Sequence, residues 1–353
     1  MISVARIALQ PGMELAEDVV SLKQGVILPA HTVLDTAAIE KLTRYGIMCV
    51  SVMEAEDYAT TYYEKIALSK QFKIFEGVYQ NNLNAYKYMV HDFLENGTPL
   101  NQDFLLTIYD QMWTSAKKDG DLLLDMLYSL VPTEDNLTYA HCFHSALIAG
   151  VFSKWLSLPE ETQRMLILSG FFYDIGKLKL PDKLIWKPDK LTDFEYNWMK
   201  THTAIGYDLL KNQKIDPRIL DAVLLHHERC DGTGYPQKLR NDAIPYSARI
   251  IGIVDSYEAM TSARTYRAPL NSFQVFANFE KGGLYQYDMD ALTKILQHIA
   301  GNHVGRTVRL SNDSLATIRI INPNQLSKPI LELADHSLFD LRSNPDIQIS
   351  AIL

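Results

Sequence analysis

Cysteine is scarce in this 353-residue chain: only Cys49, Cys142 and Cys230 occur, odd in number, far apart and without a CxxC pair. A disulfide-stapled fold is thereby excluded, and a reducing, cytoplasmic compartment is expected. Long hydrophobic runs are also missing, since none approaches the ~18 residues that a membrane-spanning helix needs. The first residues, MISVARIALQPGM, lack the basic and then apolar pattern of a secretory leader, so no membrane partner is expected. Positive charge is in deficit, with 34 Lys+Arg against 42 Asp+Glu and a net charge of -8. That balance disfavours duplex nucleic acid as a partner but leaves room for a small anion in a local basic pocket. Neither internal repeats nor low-complexity tracts interrupt the chain, which is long enough for one large domain and one or two small ones.

What is present divides into four textures. Residues 1–58 mix β-rich runs, Ile2 to Leu9 and Met48 to Val52, with turn residues and a helical patch near Ala37 to Tyr45. A small α+β module is expected there. Within 59–130, Phe72, Phe75, Tyr79, Leu83, Tyr86, Val90 and Phe93 recur at steps of three or four, predicting an amphipathic helix of a linker or regulatory region. Further helical patterns at 101–116, 120–130, 137–157, 160–172, 192–212, 216–227 and 243–262 make 131–303 the main helical domain. From 304 to 353, alternating β-branched runs at Thr307–Leu310, Ala316–Ile321 and Ile347–Ile352 predict a small β-rich appendix. The fold class is mainly α.

Chemistry concentrates in the helical middle. Five of the ten histidines, His141, His144, His202, His226 and His227, fall between 141 and 227, beside carboxylates and glycines. Such clustering suits a metal site assembled from several helices. His226 and His227 are adjacent, so on a helix they point about 100° apart and can serve two metals, or one metal and its surroundings. Asp174 ends an apolar run in FFYDIGKLKLP, where a buried carboxylate needs a partner. Its two oxygens suit it to bridge two ions, while Lys177 can meet a phosphate oxygen. Asp255 ends a second apolar run, followed by Arg264 and Arg267, a spacing compatible with a bidentate clamp on phosphate or with ordinary surface arginines.

The segment HHERCDGTGYP, with YDIGK, LPDKLIWKPDKLTDFEY, MKTHTAIGYDLL and VDSYEAMTSARTYR in the same order, resembles the HD-GYP domain, a helical subgroup of the HD phosphohydrolases that hydrolyse cyclic di-GMP. The likeness spans roughly residues 130–285 and implies a helical HD-domain bundle. It further implies His141, Asp174, His202, His226, His227 and Asp255 as ligands of two divalent transition-metal ions, iron first and manganese second. Asp174 would be the bridge and, with Lys177, the catalytic pair. Lys177, Tyr235, Arg264 and Arg267 would contact the dinucleotide, with Gly234 and Pro236 in the same loop.

Three positions depart from the family pattern. Tyr173 stands where the name-giving histidine precedes Asp174, removing one nitrogen ligand, and a phenol with a pKa near ~10 is a poor substitute. Leu137 replaces a glutamate that supports a third metal in some members, so two metals are expected. His144 replaces an amide side chain, with three roles open: substitute ligand, support to a ligand, or packing.

The resemblance implies in-line attack on phosphorus by water acidified between two ions, giving linear pGpG and then GMP. The rival reading is a degenerate receptor that binds cyclic di-GMP or a partner protein without turnover. Other cyclic dinucleotides stay open as substrates. A diguanylate cyclase docked at the GYP loop, and a homodimer, are partners implied by resemblance and position alone.

Overall fold

The computed structural model describes residues 1–21, 25–53, 59–130, 137–185, 187, 189–262 and 269–353. They group into two compact units, Met1–Lys70 and Gln71–Leu353.

In the first unit, β1 (Ile2–Ala5), β2 (Val19–Ser21) and β3 (Gly25–Leu28) precede helix α1 (Thr36–Arg44) and β4 (Cys49–Val52). β1 pairs antiparallel with β4, and β2 with β3. Leu15, Leu34, Leu42, Val50 and Val52 form its core. The Asp35 side chain accepts the Ala38 N–H and starts α1 one residue before the sequence pattern suggests. The strand expected to reach Leu9 ends at Ala5, because Arg6–Ala8 coil into a single 3-10 turn.

After α2 (Tyr62–Leu68), the 27-residue α3 (Lys70–Asn96) carries the chain into the second unit. All seven aromatic and aliphatic positions picked out by periodicity on α3 are buried. α4 (Gln102–Ser115), α5 (Gly120–Tyr128), α6 (Leu137–Trp155) and α7 (Glu160–Phe172) follow. α6 is buried almost without break from Cys142 to Ser153, as a helix enclosed by others must be, and packs against α7.

Beyond them lie α8 (Asp182–Ile185), α9 (Asp193–Met199), α10 (His202–Leu210), α11 (Pro217–Leu225), α12 (Tyr246–Thr261), α13 (Ser272–Gly282) and α14 (Met289–Gly301). The single helix expected over 192–212 is thus two, α9 and α10, separated at Lys200 and Thr201.

A five-stranded antiparallel sheet closes the chain: β5 (Thr307–Leu310), β6 (Leu315–Ile320), β7 (Ile330–Leu333), β8 (Leu338–Asp340) and β9 (Ile349–Ile352), in the order β8-β7-β6-β5-β9. Alternation buries Val308, Leu310, Ala316 and Ile318 on one face. The Asn271 amide, at the start of α13, donates to the Ile349 and Ser350 carbonyls at 3.2 Å and ties the sheet to the bundle. The fold is mainly α with two small strand-bearing parts, as the textures predict. No described helix is long and apolar enough to cross a membrane.

Candidate metal centre

Five elements deliver the candidate ligands to one place. His141 comes from α6, and Asp174 from the turn after α7. His202 is the first residue of α10, His226 and His227 follow the last turn of α11, and Asp255 lies on α12. Asp174, His202, His226 and His227 present ligand atoms within 4.8 Å of one another, and His141, Asp174 and Asp255 do the same, with Asp174 common to both groups.

Local structure explains how each is aimed. Because α9 ends at Met199, that residue's carbonyl is free to accept from the His202 ring through Nδ1 at 2.7 Å. His226 likewise commits Nδ1 to the Ala222 and Val223 carbonyls at 3.0 and 3.1 Å. With Nδ1 committed as the donor, each Nε2 is the ring nitrogen left to offer a lone pair. They face each other at 3.4 Å, with Asp174 Oδ1 3.1 Å from His202 Nε2 and 3.6 Å from His226 Nε2. Three acceptors converge with no proton between them, and Asp174 Oδ1 is buried without a hydrogen-bond partner. Each buried unsatisfied group costs ~1–3 kcal/mol. A cation removes all three penalties at once, so the donor set fits a metal-binding site.

Apart from His141, whose pKa burial alone would lower but Glu258, Asp174 and Asp255 raise well above its ordinary value, the protonation states agree. Burial lowers the pKa of His202, and burial with the neighbouring His226 holds His227 well below its ordinary value, so both are neutral ligands. Burial alone would raise the Asp174 carboxyl, but Lys177 and the surrounding histidines hold it well below the carboxylate range. Lys177 Nζ donates to Asp174 Oδ2, opposite the orphaned oxygen.

Gly176 makes the approach of this turn to α10 feasible. A Cβ there would lie 2.0 Å from the His202 carbonyl oxygen and 2.6 Å from the Gly206 nitrogen, both backbone atoms that cannot swing aside.

The second group centres on His141, whose Nε2 lies 3.1 Å from Asp174 Oδ2 and 3.2 Å from Asp255 Oδ1. Tyr173 is fully buried beside it. Its hydroxyl contacts His141 Nε2 and lies 3.0 Å from Ser145 Oγ and 3.2 Å from Asp255 Oδ1. Burial and the charge of Asp255 push this phenol well above its ordinary pKa, so it remains a protonated donor.

The remaining sequence candidates divide. Lys177 and Tyr235 line a cavity of about 500 Å³, as do His141, His202 and His227. The Tyr235 ring stacks on His227 at 4.6 Å between centroids. Arg264 and Arg267 lie outside the described residues. His144 is buried and turned toward Tyr79, Ser262 and Glu258 instead of the ligand cluster, which removes it as a substitute ligand.

Two acidic residues were given no role by the sequence reading. Glu228 is buried and accepts the backbone N–H groups of Gln237 and Leu239 at 2.6 and 2.9 Å, closing the loop that carries Gly234 and Tyr235. Glu258, also buried, is held ionised by His141, which overcomes the effect of burial. Its position three residues after Asp255, on the same face of α12, was the available signal.

A helical fold that gathers histidines and aspartates from five elements into one cluster defines a candidate metal-binding domain. Residues 123–291, just under half of the chain, match the family model described as HD domain. A cyclic di-GMP phosphodiesterase response regulator of Xanthomonas campestris pv. campestris is 40% identical over 147 residues, covering 41% of this chain and 39% of the relative. A cyclic di-GMP phosphodiesterase of Pseudomonas aeruginosa is 29% identical over 212 residues, 60% of this chain and 50% of the relative. A 3'3'-cGAMP-specific phosphodiesterase of Vibrio cholerae is 33% identical over 150 residues, 42% of this chain and 35% of the relative. The chain thus spans half or less of the length of these relatives.

Proposed function

We propose that this chain is a metal-dependent phosphodiesterase acting on cyclic di-GMP, opening it to linear pGpG and then to GMP. The observation that carries this reading is the convergence of His202 Nε2, His226 Nε2 and Asp174 Oδ1 in a buried spot with no proton to share. Supporting it are relatives named as phosphodiesterases of cyclic dinucleotides.

His141, Asp174, His202, His226, His227 and Asp255 would hold two divalent ions, with Asp174 shared between them. The mixed nitrogen and carboxylate set suits iron, with manganese next. Such ions, when bound, acidify water and offset charge on a phosphodiester. Lys177, held protonated by Asp174 and Asp255 against the effect of burial, faces the cavity as a fixed positive charge for a non-bridging phosphoryl oxygen. Tyr235 offers its ring to a base, with its other face on His227. The cavity lies in the range of ~300–1,000 Å³ usual for small-ligand sites. The chain is proposed to work in the cytoplasm. A diguanylate cyclase at the Glu228-closed loop and a second copy of the chain are its proposed protein partners.

Tyr173 favours one rival. By occupying the side of His141 where the family carries a histidine, its hydroxyl supports a receptor that binds the dinucleotide without cutting it. Incubating cyclic di-GMP with iron(II)- or manganese(II)-loaded protein and separating the products separates the two. Appearance of pGpG is expected; no product with either metal, despite dinucleotide binding, would establish the receptor.

A further inference from the structure

Behind the candidate ligands runs a chain of buried polar groups that reaches a helix outside the matched domain segment. Tyr79, on α3, is buried, and its hydroxyl lies 2.8 Å from His144 Nε2. The other ring nitrogen of His144 lies 3.3 Å from Glu258 Oε1 and 3.3 Å from Ser262 Oγ. Ser262 Oγ donates to the same Glu258 oxygen at 2.5 Å. The second carboxylate oxygen of Glu258 accepts from His141 Nδ1.

One proton arrangement satisfies every member. Tyr79 O–H donates to His144 Nε2, His144 Nδ1–H donates to the Glu258 side of the chain, and His141 Nδ1–H donates to Glu258. His141 Nε2 is then directed at Asp174 and Asp255, 3.1 and 3.2 Å away. None of these groups has slack: Tyr79, His144 and Glu258 are each no more than 2% exposed.

We infer that Glu258 is the positioning residue for His141, and that His144 and Tyr79 hold Glu258 in place, so that α3 sets the geometry of one half of the centre. A carboxylate behind a metal-ligating imidazole fixes the ring and raises its basicity. Here the carboxylate is itself anchored by a helix that begins 53 residues before the matched segment, at Lys70 against residue 123. The shape of the sequence explains why: His144 stands where an amide is usual, and its second ring nitrogen requires a donor, which Tyr79 supplies.

This inference rests on the proposed metal centre, and its test keeps the two apart. Manganese(II) affinity of the full chain is measured by competition with a fluorescent chelator, without substrate, for wild type, Glu258→Gln, Tyr79→Phe and the double variant. Thermal unfolding of each metal-free protein is recorded alongside. The expected result is ~10–100-fold weaker manganese binding for Glu258→Gln and a smaller loss for Tyr79→Phe, with both variants still unfolding cooperatively. The double variant should match Glu258→Gln alone, because Tyr79 acts through Glu258. Wild-type binding with unaltered affinity in both single variants overturns the positioning role while leaving the centre intact. Losses that add in the double variant overturn the linkage through Glu258. Absence of manganese binding by wild type overturns the centre itself and the inference with it. Should Glu258→Gln fail to fold, Tyr79→Phe decides alone, since it deletes one oxygen and keeps the ring.

Discussion

At the scale of single residues, the centre depends on a close approach and on unshared lone pairs. Gly176 allows the turn bearing Asp174 to rest on the backbone of α10. Gly176→Ala is expected to push that turn away, costing about 1–3 kcal/mol of stability through overpacking. Loss of manganese affinity should accompany the loss of stability, as isothermal titration and denaturant unfolding will register. A second residue, not among the candidate ligands, sets part of the acid sensitivity. His303 is buried with neither ring nitrogen hydrogen-bonded, and burial, aided by Arg306, lowers its pKa from 6.5 to about 4. The unfolded chain therefore takes up a proton below 6.5 that the folded chain refuses until about 4. Stability is lost as pH falls through that window, by up to about 3 kcal/mol. His303→Leu should flatten this part of the pH–stability curve measured by urea unfolding; an unchanged slope would show that His303 is not its source.

At the scale of elements, helix ends matter more than helix interiors. His202, His226 and His227 all sit where a helix starts or stops, and carbonyls of the preceding turn orient the His202 and His226 rings. The loop after His227 is held by Glu228, which takes two backbone N–H groups. Glu228→Ala is expected to lower stability by about 1–3 kcal/mol. The same change should raise the KM for cyclic di-GMP with little effect on manganese affinity, because it frees the Tyr235 loop and leaves the ligands in place. Much at this scale was legible in the sequence. The periodicity of Phe72 through Phe93 marked α3, and the alternating runs after residue 304 marked β5, β6 and β9. The break between α9 and α10 was not, because Lys200 and Thr201 are ordinary helical residues and the break is stabilised by a side chain, His202, taking the Met199 carbonyl. The short strands β7 and β8 are defined by their pairing rather than by composition.

At the scale of the whole molecule, an acidic chain of net charge -8 is proposed to bind an anionic dinucleotide. The attraction must be local, supplied by Lys177 and Arg229 around one cavity together with the proposed cations. The residue types of the centre were readable from clustered histidines and from carboxylates ending apolar runs. Their convergence was legible only through the likeness to the HD-GYP pattern, since five elements spread from residue 137 to residue 261 meet only in the folded state. The supporting role of Tyr79 escaped notice for the same reason: nothing local marks a tyrosine 62 residues before His141 as part of its support. The most direct test of the account uses one preparation, purified without oxygen, for elemental analysis and for cyclic di-GMP turnover. Two divalent ions per chain, with a rate that rises with occupancy and vanishes in Asp174→Asn, is the predicted result. Undiminished turnover by metal-free protein, or full occupancy by two ions without any turnover, would contradict it.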